Sequence, residues 1–268
     1  MKCISFNING IRAHLHQLEE IINKDYPDII GLQETKVDDP IFPLAHINHL
    51  GYNVYYHGQK AHYGVALLLK SKAISIDKGF PNDIYHAQRR IITAHINTKI
   101  GIIIIINLYV PQGGYRKDPI KFPAKIKFFH NLYNYLYNYK QLYNNIIIMG
   151  DINISPTDND IGIGNVNKQR WLNIGKCSFL PEERELIKKI QSLGFTDIYR
   201  YQNPDVKNKF SWFDYRSNGF SKNNGLRIDL MFVSNKMLKY CVNSGIDYHI
   251  RSMNKPSDHA PIWTTFNF

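Results

Sequence analysis

Five consecutive isoleucines, Ile102 to Ile106, make the longest aliphatic run in the chain. Such a run falls far short of the roughly 18 to 20 residues that span a bilayer, and its β-branched side chains favour a strand over a helix. It predicts a buried strand over Ile102–Tyr109. Short runs of the same kind recur at Lys2–Asn7, Asp28–Gln33, Tyr52–His57, Val65–Lys70, Arg90–Asn97, Ile146–Gly150, Ile228–Val233, Val242–Tyr248 and Ile262–Phe266. Helical spacing is confined to Leu15–Lys24, Pro123–Tyr143 and Pro181–Leu193. In the second of these, Phe129, Leu132, Leu136 and Tyr139 recur at intervals of three and four, with Asn and Lys between them. Many strands and few helices disfavour a Rossmann alternation. They predict an α+β fold with sheets packed together and helices outside. No linker, repeat or low-complexity tract breaks the pattern, so a single domain over residues 1–268 is expected.

Several of these apolar runs end in a carboxylate or an amide. The first ends in Asn7, the second leads to Glu34, and Ile146-Ile-Ile-Met-Gly leads to Asp151 and then Asn153. Acids at strand ends project from the rim of a sheet, where clefts form. Arg227-Ile-Asp229-Leu-Met-Phe is different, because it reads as an acid inside an apolar strand. Burying a lone carboxylate there costs several kcal/mol unless a partner or a metal compensates, about several kcal/mol per ion by continuum reasoning. Finally, Asp258 and His259 stand side by side just before the last strand. Each feature alone has a plain structural explanation as a cap or a solvated loop residue. Together, four carboxylates, two asparagines and one histidine from separate segments suit a hard-cation site such as one for Mg²⁺, which prefers oxygen ligands.

Two look-alike motifs fail. Asp151-Ile-Asn153-Ile-Ser155 begins like a calcium loop, but Pro156 stands where such a loop needs glycine. Gly162-Ile-Gly164 is half a dinucleotide fingerprint with no helical pattern after it.

Lys and Arg total 33 against 22 for Asp and Glu, and a net charge of +11 leaves nucleic acid, an anionic membrane and a phosphorylated metabolite all open as partners. The three cysteines, Cys3, Cys177 and Cys241, are widely spaced, which excludes a disulfide framework and a Cys-based zinc site. The first residues mix polar and apolar side chains and contain no signal-peptide core. A cytoplasmic protein is expected, with no membrane association.

Five segments in order carry a resemblance: Phe6-Asn-Ile-Asn-Gly10, Leu32-Gln-Glu-Thr-Lys36, Gly150-Asp-Ile-Asn153, Gly225-Leu-Arg-Ile-Asp229 and Ser257-Asp-His-Ala-Pro261. They resemble the ordered signatures of the endonuclease/exonuclease/phosphatase superfamily. Phe210-Ser-Trp-Phe-Asp-Tyr-Arg216 and Arg89-Arg90 are similar to its exonuclease III-type apurinic/apyrimidinic endonucleases. One departure is Asn9, where another branch carries an acid. The resemblance implies a four-layer α/β sandwich, two mainly antiparallel sheets face to face and flanked by helices, with the active site at one end. It also implies metal-assisted hydrolysis of DNA phosphodiesters, with Mg²⁺ or Mn²⁺ bound, by a monomer acting on double-stranded DNA that carries abasic sites or damaged 3′ ends.

Matching motif by motif, Glu34, Asn7 and Asp258 are expected at the metal, with Asp151 and Asn153 beside it. Asp151 is expected to be the general base, and Asn153 to hold the attacking water or the phosphate, since residues i and i+2 point the same way along an extended chain. His259 is expected to donate to the phosphate with Asp229 orienting it, and Tyr109 to add a phenolic hydrogen bond. For DNA, the expected contacts are Arg90, Gln112, Lys121, Lys125, Lys209 and Arg216. Trp212, Phe213 and Leu226 are expected to wall an apolar pocket for the base-less sugar, with Trp212 or Phe213 turned to the core instead. Two alternatives stay open: a superfamily phosphatase or phosphodiesterase acting on a small or lipid phosphate, and a non-catalytic DNA-binding module.

Overall fold

The computed structural model describes residues 1–84 and 87–268. Its strands are β1 (Lys2–Asn7), β2 (Ile29–Gln33), β3 (Asn53–His57), β4 (Val65–Leu69), β5 (Ser75–Lys78) and β6 (Ile91–Thr98). There follow β7 (Gly101–Tyr109), β8 (Ile146–Asp151), β9 (Phe195–Asp197), β10 (Asp229–Ser234), β11 (Cys241–Ile246) and β12 (Ile262–Phe266). The α-helices are α1 (Leu15–Asp25), α2 (Leu44–His49), α3 (Lys121–Leu142), α4 (Asn165–Asn173), α5 (Pro181–Ser192), α6 (Ile198–Gln202) and α7 (Tyr248–Arg251).

The strands form two six-stranded sheets, ordered β11-β12-β1-β2-β4-β3 and β5-β6-β7-β8-β10-β9. Each sheet is mixed: β1 and β2 are parallel, as are β7 and β8, and every other pair runs antiparallel. A parallel pair needs a long crossover, and α1 and α3 supply one in each half. The inner faces meet through Ile29, Val65 and Leu67 of one sheet and Ile103, Ile105, Ile147 and Met149 of the other. The outer faces are covered by helices. Leu18 and Ile21 of α1 and Ile47 of α2 pack on Phe6, Ile30 and Leu68. Phe129 and Leu132 of α3 and Ile187 and Ile190 of α5 pack on Ile104, Ile106, Ile148 and Phe232. Four layers result, and Ile103 to Ile106 are buried on both faces because they lie inside a sandwich, while Ile102 at the start of the run is exposed.

The predicted strands and the three predicted helices are present, with ends shifted by a residue or two. Helix α3 begins at Lys121, ahead of Pro123, because Asp118 Oδ1 accepts from the backbone N–H groups of Ile120 and Lys121 at 2.9 and 2.8 Å. A proline in a first helical turn loses no bond there. One expectation was wrong: α4 follows Gly164 directly, where the sequence has no helical pattern. Only Trp171 of that helix is buried, so no apolar stripe marks it. Asp229 also differs from its expected place. It begins β10 instead of lying inside the strand.

Candidate active site

The two crossovers decide where the site lies. Both parallel pairs end at the same rim: β1 at Asn7, β2 at Gln33 just before Glu34, β7 at Tyr109 and β8 at Asp151. The antiparallel strand β10 starts at that rim, and its register sets Asp229 opposite Asp151. The loop that leads into β12 brings Asp258 and His259.

A polar stitch between the sheets holds the two halves together. Asn107, which follows the five isoleucines near the end of β7, donates from Nδ2 to the carbonyls of Leu32 and Ala66, both at 2.9 Å, and accepts from Gln33 Nε2 at 2.6 Å. Gly31 is required opposite it, since a Cβ there would lie 2.8 Å from Met149 Cε and 2.9 Å from Asn107 Oδ1. Gly150 is equally constrained: with φ at +151°, its Cβ would fall 1.8 Å from the Leu108 carbonyl oxygen.

Ligand atoms of Glu34, Asp151 and His259 lie within 4.8 Å of one another. Asn7 links the two acids by donating from Nδ2 to Glu34 Oε1 at 3.0 Å and to Asp151 Oδ2 at 2.9 Å. Its Oδ1 accepts from the Asn9 backbone. Asn7 therefore turns its amide hydrogens toward the acids, and not the neutral oxygen that was expected to face a metal. Lys36, which the sequence reading missed, bonds both Glu34 Oε2 and Asn9 Oδ1. Burial raises the Glu34 pKa, but Lys36 and the Asn7 hydrogen bond outweigh it and hold Glu34 below its ordinary value.

His259 Nδ1 lies 2.8 Å from Asp229 Oδ2, and Nε2 lies 3.9 Å from Asp151 Oδ2. Burial would lower the His259 pKa, but the charge and hydrogen bond of Asp229 overcome it and raise it well above the ordinary imidazole value. Asp151 is shifted upward as well. Burial, then the Asp229 charge, hold its carboxyl well above the usual range. Two serines fix these groups. Ser211 Oγ accepts from the backbone of Ile228 and Asp229, and Ser257 Oγ donates to the Asn7 carbonyl and accepts from the His259 backbone.

Asn153 comes beside Asp151 by a turn, not by strand alternation. Its φ is +55°, its N–H donates to Asp151 Oδ1 at 2.9 Å, and its Nδ2 donates to the Val110 carbonyl and to Asp151 Oδ2. Contrary to the expectation of an extended chain, strand alternation does not bring the pair together, because β8 ends at Asp151. Asp258 stands apart from the Glu34–Asp151–His259 group. Its two oxygens accept from Asn9 Nδ2 and Trp212 Nε1, each at 2.9 Å. Tyr109 is half-buried and shares Arg90 with Tyr63, the guanidinium lying 4.5 and 4.0 Å from the two ring centres. Burial, then the Glu34 and Asp151 charges, keep the Tyr109 phenol protonated.

Several expected DNA contacts are displaced by packing. Arg90 is buried, donating to Gln88 Oε1 and the Tyr109 carbonyl, so it supports Tyr109 instead of tracking phosphates. Lys125 is fully buried against Glu183. Phe213 is closed inside a cluster with Phe210, Phe220 and Tyr248, and Leu226 packs with Trp171, Phe179 and Ile228. Neither offers a surface to a sugar, and of the expected pocket walls only half-buried Trp212 does. Gln112, Lys121, Lys209 and Arg216 are exposed.

The donor set fits a hard divalent cation. Carboxylates of Glu34 and Asp151 converge, and Asp151 is a buried acid short of positive charge.

Known proteins agree with this geometry. The model of the "Endonuclease/Exonuclease/phosphatase family" matches residues 4–259. Exodeoxyribonuclease III of Haemophilus influenzae is 56% identical over 266 residues, covering 99% of this chain and all of that protein. Among solved structures, the 3′ phosphatase NExo from Neisseria bound to a product DNA hairpin superposes with a TM-score of 0.93 at 30% identity, and an AP endonuclease from Archaeoglobus fulgidus with 0.89 at 31%; both alignments cover all of either chain. With sheet topology, site and sequence in agreement, the chain belongs to the endonuclease/exonuclease/phosphatase family.

Proposed function

We propose that this chain is a DNA-repair nuclease that hydrolyses phosphodiesters of duplex DNA, incising 5′ to abasic sites and trimming 3′ ends as a 3′→5′ exonuclease and 3′-phosphatase. The observation that carries this reading is the convergence of Glu34, Asp151 and His259 at the rim of a fold shared along its whole length with nucleases. We take residues 1–268 to act as one catalytic unit, a monomer in the cytoplasm. Among the described residues, no helix is long and apolar enough to cross a membrane.

Glu34 and Asp151 would hold Mg²⁺, and Mn²⁺ suits the same oxygen donors. When bound, such an ion supplies Lewis acidity that stabilises charge developing on the phosphate. Asp151 takes the proton of the attacking water, and Asn153, fixed by its bonds to Asp151 and Val110, aligns that water or the phosphate. His259, kept charged by Asp229, donates to a non-bridging oxygen, and the Tyr109 phenol donates to the same phosphate. Asp258 holds Trp212 at the edge of the sugar pocket through the indole N–H. Lys121, Lys209, Arg216 and Gln112 meet the duplex around the site.

The test compares four substrates with and without EDTA: an abasic duplex, a blunt duplex, a duplex with a 3′-phosphate at a nick, and inositol phosphates. Mg²⁺-dependent cleavage of the DNAs, with DNA binding retained in EDTA, is expected. Turnover of inositol phosphates alone would replace this reading with a small-phosphate phosphatase, and binding without any cleavage would leave a DNA-binding module. The Neisseria 3′ phosphatase favours 3′-end trimming as a strong component, and the nicked substrate measures it.

A further inference from the structure

The buried ion pair of Lys125 and Glu183 lies outside the Glu34–Asp151–His259 group, and neither side chain has any exposed surface. Lys125 comes from the first turns of α3 and Glu183 from the first turn of α5. An ammonium has three hydrogens, and Lys125 places each on a different segment: Glu183 Oε1 at 2.6 Å, the Asn153 carbonyl at 2.9 Å and the Gln112 carbonyl at 3.3 Å. Glu183 is as fully used, since its other oxygen accepts from the backbone N–H groups of Ser178 and Leu180 at 2.8 Å. Ser178 in turn accepts through its carbonyl from the Ser155 N–H at 2.6 Å.

Neutralising Glu183 would require one contact. The other two donors reach the loop after β8, which carries Asn153, and the loop after β7, which carries Gln112. Asn153 sits in the left-handed region, where asparagine pays a steric penalty that surrounding bonds must offset. The Gln112 loop is pressed onto the same lysine: Gly113 has φ +91°, and a Cβ there would come within 2.9 Å of Lys125 Cδ and of Cys177 Sγ.

We propose that Lys125 is a positioning residue that locks the Asn153 loop and the Gln112 loop into one geometry, with Glu183 holding the ammonium in place. The proposal rests on the reading above, in which Asn153 and Asp151 act on the phosphate and Gln112 meets the DNA. Loss of the lysine frees the Asn153 carbonyl and lets the amide beside Asp151 drift. A displacement of about 1 Å at a reacting geometry costs on the order of 10²-fold in rate.

Lys125→Met alone strands the Glu183 charge and can simply unfold the protein. The test therefore centres on Lys125→Met combined with Glu183→Gln, which removes both charges and keeps an oxygen for Ser178 and Leu180. Lys125→Arg serves as the charge-preserving variant and Asp151→Asn as the control. Melting temperature, active fraction, kcat and KM on an abasic duplex are measured for each. The expected result is a double variant that melts close to the wild type, with kcat per folded molecule lowered by about 10 to 10²-fold, KM raised, and partial recovery in Lys125→Arg. A double variant that is folded and keeps wild-type kcat and KM overturns the proposal. So does a loss explained wholly by the unfolded fraction. If Asp151→Asn itself turns over normally, the reading of the site fails instead, and the two failures are told apart.

Discussion

The His259–Asp229 pair offers the sharpest test of the site. Asp229→Asn keeps the shape of the side chain and the Ser211 contact to the residue 229 backbone, so the fold should survive. What it removes is a charge 2.8 Å from the imidazole. A hydrogen bond to a charged group contributes about 1.5–3 kcal/mol, and one pKa unit corresponds to about 1.4 kcal/mol, so His259 should lose roughly one to two units of basicity. Burial is then opposed only by the charges of Asp151 and Asp258. In the wild type the imidazole stays charged through neutral pH because its pKa is raised. In the variant it should lose its proton as pH rises through a lower value. The kcat on an abasic duplex, measured from pH 5.5 to 9, should therefore be close to normal at the acid end and fall by up to about 10-fold at the alkaline end, as the charged fraction of the ring shrinks. An imidazole titration followed by NMR should show the same displacement. A pH-independent loss, or a pH profile that matches the wild type's across the range, would refute the role given to the pair.

Other substitutions probe separate parts of the argument. Asp151→Asn should lower Mg²⁺-dependent cleavage by about 10² to 10⁴-fold, and near-normal turnover would remove it as the base. Trp212→Ala breaks the bond to Asp258 and should weaken abasic-site cleavage more than it lowers the melting temperature; a large fall in melting temperature with unchanged kinetics would return Trp212 to the core. Asp160 should show in the acid limb of stability. Burial opposes its ionisation, but Arg227 and Arg200 hold its pKa down to about 2 from 3.8. Its contribution, roughly 2 kcal/mol, is complete above the ordinary value and is lost as pH falls through the lowered one. The stability gap between wild type and Asp160→Asn, read from urea melts, should narrow below about pH 4; a constant gap would contradict the assignment. DNA affinity should fall steeply with added salt, as exposed Lys121, Lys209 and Arg216 would require, and a flat salt response would remove them from the interface.

Much of the scaffold was legible because strand signals are local. A β-branched run reads as a strand wherever it packs, and an acid or amide at its end reads as a rim residue, as with Asn7, Glu34 and Asp151. The pairing of Asp229 with His259 was also legible, since a carboxylate beside an apolar run demands a partner. Asn107 was the overlooked signal. A lone amide after five isoleucines is as anomalous as Asp229, and it proved to join the two sheets.

By itself, then, the sequence determined ten of the strands, the three longest helices, the family and the residue types able to do the chemistry, while the short elements β5, β9, α2, α4, α6 and α7 carry no local signal of their own. The tertiary structure decided which of those residues face the reaction. Lys125 and Lys121 are both lysines on one helix, yet one is exposed and the other is sealed against an acid 58 residues away. Trp212 and Phe213 are adjacent, yet one remains open and the other is enclosed by aromatic rings. Asp258 looks like any other rim acid, but Asn9 and Trp212 claim both of its oxygens. In each case the difference lies in burial and partners set by distant segments. The local chain carries a residue's chemistry, while desolvation and neighbouring charge, which depend on the packing of the whole sandwich, assign its use.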